Sequence, residues 1–181
     1  PLKDLSRGYC DLVINLSASP FTTAKRAERD FVCRKTVGQL KAPLIYVNMV
    51  GAQDELIFDG HSFVMNEKGK VLANCVGFLE DLNVIDLKHR EGGLREIESS
   101  PVEDLRQALV LGIRDFCEKV GFSKIHLGLS GGIDSAVVAC LAVDALGPEA
   151  VTCFYLPGPF STKKSEKLSH DFAKRLHIQS H

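Results

Sequence analysis

The chain lacks an apolar run long enough to cross a bilayer, and nothing at its start has the pattern of a secretory signal. An excess of one charge is missing as well. Lys and Arg number 22 against 23 Asp and Glu, a net charge of −1, so composition gives no reason to expect nucleic acid or an anionic membrane as partner. Six cysteines are present (Cys10, Cys33, Cys75, Cys117, Cys140, Cys153), but no two stand in Cys-x-x-Cys spacing. Several fall inside apolar segments, which predicts buried free thiols and a reducing, cytoplasmic setting. Internal repeats and low-complexity segments are absent, and position 1 is Pro1 rather than methionine, so a fragment or part of a longer protein is expected. What is there is a globular composition: 181 residues, 45% apolar, enough for one domain or a small pair.

A polar connector over 88–100, with Gly92-Gly93, divides the chain. Before it, 12–16 reads as a buried strand and 23–40 as a helix with Ala24, Ala27, Phe31 and Leu40 broadly on one side. A second strand is expected over 44–50. Turn signals at Asp59-Gly60 and Glu67-Lys68-Gly69 predict hairpins built from 56–58, 62–65 and 70–76, and 83–87 reads as a last short strand. After the connector, Ser100-Pro101-Val102-Glu103 has the form of a helix start, with Ser100 as N-cap and Glu103 reaching back to close a capping box. Val102, Leu105, Leu109, Ile113, Phe116 and Val120 recur at helical spacing, and Gly121 can end that helix in a left-handed turn. A strand over 124–129, a helix reaching Leu146, an apolar run over 151–156 read as a parallel strand covered on both faces, and a helix over 163–176 complete a βαβ pattern.

The most telling stretch is Gly128-Leu129-Ser130-Gly131-Gly132-Ile133-Asp134-Ser135, lying where a strand turns into a helix. The first amides of a helix have no intrahelical partner and carry the positive end of its dipole, so a phosphate fits in front of them. Glycines let the backbone come close. Ser130 and Ser135 add hydroxyl donors, and Asp134 can hold Mg²⁺. The lysine and the glycine spacing of a Walker loop are missing. Ser-Gly-Gly-Ile-Asp-Ser resembles instead the signature of the PP-loop ATP pyrophosphatases, which cleave ATP between its α- and β-phosphates.

In the first region, Ile14 to Phe21 and Tyr46 to Ser62 resemble the second half of a nitrilase-type amidase domain. That resemblance implies an αββα sandwich and amide hydrolysis by a Glu–Lys–Cys triad. The two resemblances in this order point to the glutamine-dependent NAD synthetases. They imply an α/β chain: the C-terminal half of a nitrilase-like sandwich (1–90), a linker (91–100), and the start of a parallel α/β PP-loop domain (101–181). They further imply a cytoplasmic, homo-oligomeric ligase using ATP and Mg²⁺, with deamido-NAD and glutamine or ammonia as substrates and no nucleic acid or membrane partner. The nucleotide site would comprise Gly128, Leu129, Ser130, Gly131, Gly132, Ile133, Asp134 and Ser135, with Asp134 at the metal. Ser19 and Lys25 match positions that hold the substrate glutamine, although Lys25 follows Ala24 where the family has glycine.

In the family the triad lies before the Ser17–Phe21 stretch, so no triad member is expected within this chain. Cys10 is then structural. Asp54 and Glu55 take no acid–base role, and His61 reads as a surface histidine. Leu156, Pro157, Phe160, Ser161, Thr162 and Ser165 resemble the loop lying over the nucleotide, while His177 stands where the family has glycine, and His170 and Asp171 read as solvated. Two rivals stay open: another PP-loop ligase, such as an asparagine or GMP synthetase, and a non-catalytic nucleotide-binding remnant.

Overall fold

Alternation along one strand organises the N-terminal part of the structure. In β2 (Leu44–Asn48), Leu44, Tyr46 and Asn48 are buried while Ile45 and Val47 face outward. The computed structural model describes residues 5, 8–89, 91–97, 100–159 and 161–181; Phe160 and parts of the predicted linker lie outside the described residues. The chain divides into two units, Pro1–Ala108 and Leu109–His181, and each is a mixed α/β arrangement.

In the first unit β1 (Val13–Ser17) runs parallel to β2, which pairs antiparallel with β5 (Phe63–Met65), followed by β6 (Val71–Asn74). Helix α1 (Lys25–Leu40) supplies Cys33 and Val37 to a core shared with Leu44, Tyr46 and Met65. The expected apolar side of this helix is not the buried one. Ala24, Ala27 and Phe31 are exposed, and the buried stripe is Arg29, Cys33 and Val37, four residues apart. Apolar periodicity misses it because its first member is charged and is neutralised by a partner from another strand. The strand over 12–16 forms but is not buried: Ile14 is 59% and Leu16 76% exposed. It is an edge strand, paired only with β2 among the described residues.

The hairpin expected at Asp59-Gly60 is elsewhere. Strand β4 (Leu56–Asp59) turns back on β3 (Val50–Gln53) across Asp54-Glu55, with Asp54 left-handed at φ 52°. Gly60 and His61, at φ 64° and 53°, instead redirect the chain from that ribbon into β5. Asp tolerates the left-handed region, so a tight turn formed without glycine and left no glycine signal. The second hairpin forms as expected, its turn fastened by Asn66 Oδ1, which accepts from the amides of Lys68 and Lys70 at 3.0 and 2.9 Å. Strands β7 (Ile85–Asp86) and β8 (Glu91–Gly92) make a short ribbon.

Helix α2 (Pro101–Val120) contains the division between the units. Its N-cap forms: the Glu103 amide donates to Ser100 Oγ at 3.2 Å. The Glu103 carboxylate does not close the box, because Arg106 and Gln107 engage it, and those bonds hold its pKa down to about 2. Much of the predicted stripe (Val102, Leu105, Leu109, Phe116, Val120) is exposed, whereas Ala108, Leu111 and Cys117 are buried. Gly121, at φ 81°, ends the helix, with the Phe122 amide donating to Cys117 O.

In the second unit β10 (Val151–Phe154) lies between β9 (Ile125–Gly128) and β11 (Gln179–Ser180), parallel to both. Val151 and Cys153 are buried on one face of β10. Thr152 and Phe154 on the other are only half-buried, so the strand is not covered equally on both sides. Helix α3 (Ile133–Leu146) packs through Ala139 and Ala142, whose small side chains let it approach the sheet. After a short turn of 3₁₀ helix (Pro148–Ala150) and β10 comes α4 (Lys163–Arg175), which buries Ser169 and Ala173. Beyond α4, His177 sits at φ 57°, and the Ile178 amide returns to Ala173 O at 3.1 Å. This is the left-handed helix-ending turn that glycine favours.

Candidate functional site

The glycine loop occupies the C-terminal end of β9. Its root is fixed from two sides. The Leu129 amide donates to Phe154 O at 2.9 Å, and the buried Ser169 hydroxyl donates to Leu129 O at 2.9 Å. Leu129 itself belongs to the core. Ahead of it, Gly131 takes φ 79°, and a Cβ on it would stand 2.5 Å from Ser165 O. The loop therefore presses against the first turn of α4, and only glycine fits. Thr162 caps that helix, its Oγ1 accepting from the Ser165 amide at 3.1 Å.

The serines brace the loop from within. Ser130 Oγ and Ser135 Oγ are 3.1 Å apart, the Gly132 amide donates to Ser130 Oγ at 3.3 Å, and Ser135 Oγ donates to Gly132 O at 3.1 Å. Gly132 is the N-cap of α3 and has no side chain with which to cap it. Gly132, Ile133 and Asp134 are exposed, so uncapped amides at the positive end of a helix face solvent. Gly128 to Ser135 thus run from the last residue of β9 through the loop into the first turn of α3. Asp134 lies in the first turn of α3, its carboxylate offering the hard oxygen donors that Mg²⁺ takes. Among the described residues no three His, Cys, Asp or Glu side chains assemble a metal cage. That donor set fits a cation held by one carboxylate together with phosphate oxygens and water.

The second cluster belongs to the other unit. The segment between β1 and α1 carries Ser19, and Lys25 opens the helix. Ser17 and Asn48 stand opposite each other at the carboxyl ends of the parallel strands β1 and β2. Asn48 reaches from there to hold Ser19 at both backbone groups: its Oδ1 accepts from the Ser19 amide at 2.9 Å and its Nδ2 donates to Ser19 O at 3.3 Å. The Arg29 guanidinium donates to Ser19 Oγ (3.1 Å), Ser19 O (2.7 Å) and Pro20 O (3.1 Å). Its remaining arm, Nη1, donates to Asp59 Oδ2 at 2.8 Å and lies as close to Oδ1. Lys25 is half-exposed and pairs with Glu28 at 3.1 Å. Sequence reading missed Arg29, Asn48 and Asp59. Arg29 sat in a helix read by its apolar residues, and Asp59 in a turn signal.

His61 is not the surface histidine expected. It is 8% exposed, and neither ring nitrogen has a hydrogen-bond partner among the described residues. Burial lowers its pKa, Arg26 and Arg29 add to that, and Asp59 and Asp104 oppose it. Its ring lies edge-on to Phe78 at 5.6 Å, beside Gly77, where any Cβ would strike it. Asp54 and Glu55 are exposed in the β3–β4 turn. Cys10 is half-buried, its thiol donating to Leu12 O at 3.3 Å. His170 is exposed yet paired, its Nδ1 lying 3.3 Å from Ser180 Oγ. No helix among the described residues is long and apolar enough to cross a membrane.

Comparison with known proteins agrees with this architecture. Residues 105–181 match the NAD synthase family. A glutamine-dependent NAD(+) synthetase of Synechocystis sp. is 44% identical over 97% of this chain and 32% of its own length. That of Rhodobacter capsulatus is 40% identical over 95% of this chain and 32% of its own length. Among solved structures, the glutamine-dependent NAD+ synthetase of Acinetobacter baumannii, determined in complex with ADP, superposes with a TM-score of 0.91 at 35% identity. It covers 99% of this chain and 35% of the larger one. The chain spans about a third of the length of the curated relatives it matches. By sequence and by fold, the chain belongs to the glutamine-dependent NAD(+) synthetase family.

Proposed function

We propose that this chain carries two working loops of a glutamine-dependent NAD(+) synthetase. The Ser19–Lys25 segment of a nitrilase-like glutaminase part (1–90) holds glutamine. The loop Gly128, Leu129, Ser130, Gly131, Gly132, Ile133, Asp134, Ser135 of the synthetase part (101–181) grips ATP, and 91–100 links the two. The complete enzyme, cytoplasmic and homo-oligomeric, amidates deamido-NAD with ammonia drawn from glutamine.

A carboxylate resists amidation because its oxygen is a poor leaving group. Adenylation makes AMP the leaving group and releases pyrophosphate. Charge then develops on the departing pyrophosphate, where donors fixed in advance lower the barrier most. The uncapped amides of the first turn of α3 are such donors, and the Ser130 and Ser135 hydroxyls, bonded to each other and to Gly132, hold the loop in shape around them. Mg²⁺ at Asp134 would neutralise phosphate charge. The observation that carries the reading is the approach of Gly131 to Ser165 O. It locks a loop with no side-chain cap, open to solvent, at the mouth of a parallel sheet, where ligands bind.

The test is Asp134→Ala in the complete enzyme. NAD formation should vanish while glutamine hydrolysis stays measurable. Undiminished NAD formation would refute the assignment.

A further inference from the structure

Beyond the two residues assigned to glutamine, we infer that Arg29, braced by Asp59, is a positioning residue that presents the Ser19 hydroxyl as a hydrogen-bond donor to glutamine. The inference rests on the proposed role of Ser19 and follows from how the donors are counted. A serine hydroxyl has one proton and two lone pairs, whereas a guanidinium only donates. With Arg29 Nε donating to Ser19 Oγ at 3.1 Å, one lone pair is occupied and the hydroxyl proton must point elsewhere. Both backbone groups of Ser19 are already held by Asn48, and its carbonyl also by Arg29 Nη2 at 2.7 Å. The proton is thereby left to an acceptor oxygen of a ligand, and glutamine brings such oxygens in its carboxylate and its amide.

The burial of Arg29 needs the same explanation. A guanidinium with a side chain 6% exposed, against a carboxylate 2% exposed, is a costly element in so short a strand-and-helix unit. It is tolerated only because every arm is engaged. Three of its four bonds go to Ser19 and Pro20 and one to Asp59. Asp59 reaches the site from the end of β4, just before the left-handed pair Gly60 and His61 that turns the chain into β5. Lys25 stands one helical turn ahead of Arg29 on the same face. Lys25 is half-exposed and Arg29 buried, so the outer cation is available to substrate while the inner one shapes the loop.

Arg29→Lys in the complete enzyme is the discriminating variant. It keeps the charge beside Asp59 but loses the fork that spans Ser19 and Pro20. Glutamine-driven and ammonia-driven NAD formation are measured side by side. The expected result is a KM for glutamine raised about ten-fold, more than kcat falls, with the ammonia-driven rate within about two-fold of the parent. Combining it with Ser19→Ala should add little to the effect of Ser19→Ala alone, since both remove one presented hydroxyl. If Ser19→Ala raises the glutamine KM and Arg29→Lys does not, the positioning role is overturned while the glutamine assignment of Ser19 stands. If Ser19→Ala leaves the glutamine KM unchanged, that assignment itself falls. Should Arg29→Lys also abolish the ammonia-driven rate, Asp59→Asn is measured instead, as it leaves the arginine fork in place. A raised glutamine KM with ammonia-driven rate retained supports the role, and an unchanged KM overturns it.

Discussion

Gly131 and Ser165 touch so closely that a single added carbon would stand 2.5 Å from a main-chain oxygen. The contact joins the loop after β9 to the first turn of α4, and it lies at φ 79°, where side chains are disfavoured. Gly131→Ala should therefore destabilise the protein by about 1–3 kcal/mol, read by thermal unfolding, and depress ATP-dependent activity. Gly128→Ala is the companion, because a Cβ there meets nothing within 4 Å. It should unfold like the parent, so any rise in the KM for ATP would report the approach of nucleotide to the backbone.

The root of the same loop depends on one buried hydroxyl. Ser169→Ala removes the donor to Leu129 O and leaves a buried carbonyl unpaired. A loss of about 1–3 kcal/mol in denaturant unfolding is expected.

His177 is strained in the left-handed region at φ 57°. His177→Gly should stabilise by about 1 kcal/mol, seen as a higher unfolding midpoint, since the Schellman-type return of Ile178 to Ala173 O is retained.

Stability should also respond to pH through His61. Its native pKa is depressed below the ordinary 6.5 by burial, so the native ring stays neutral where the unfolded ring takes up a proton. The full stability is present above about pH 6.5 and declines as pH falls toward the depressed native value, by at most about 1.4 kcal/mol per pH unit. His61→Asn, which accepts a left-handed backbone, should flatten that limb between pH 7.5 and 5.5 in thermal unfolding.

The cysteines offer a fifth readout. Burial, then Asp30, pushes the Cys33 thiol up to about 11, and burial also raises Cys153. Both should resist alkylation at pH 8 in the native protein and react once it is unfolded, as mass spectrometry would show.

The parts legible in the sequence are those where local chemistry decides the outcome. The Ser100 cap, the Gly121 stop and the 66–70 hairpin each depend on residues within a few positions of one another, and the glycine loop announces itself by a local string even though Phe154, Ser165 and Ser169 fix its place. What stayed hidden depends on partners distant along the chain. Arg29 is buried because Asp59, thirty positions on, meets it, and no periodicity of apolar residues announces that. Ile14 and Leu16 read as buried from their own character, yet burial depends on neighbours, and among the described residues β1 pairs only with β2. His61 looked like a turn residue, while the chain reversal it makes carries its ring into the interior.

Hydrogen exchange at residues 128–135 of the complete enzyme, with and without ATP and Mg²⁺, tests the central claim most directly. The account predicts that the amides from Gly131 to Ser135 become protected when nucleotide binds. Nucleotide bound tightly, with protection appearing elsewhere and none across this loop, would contradict it.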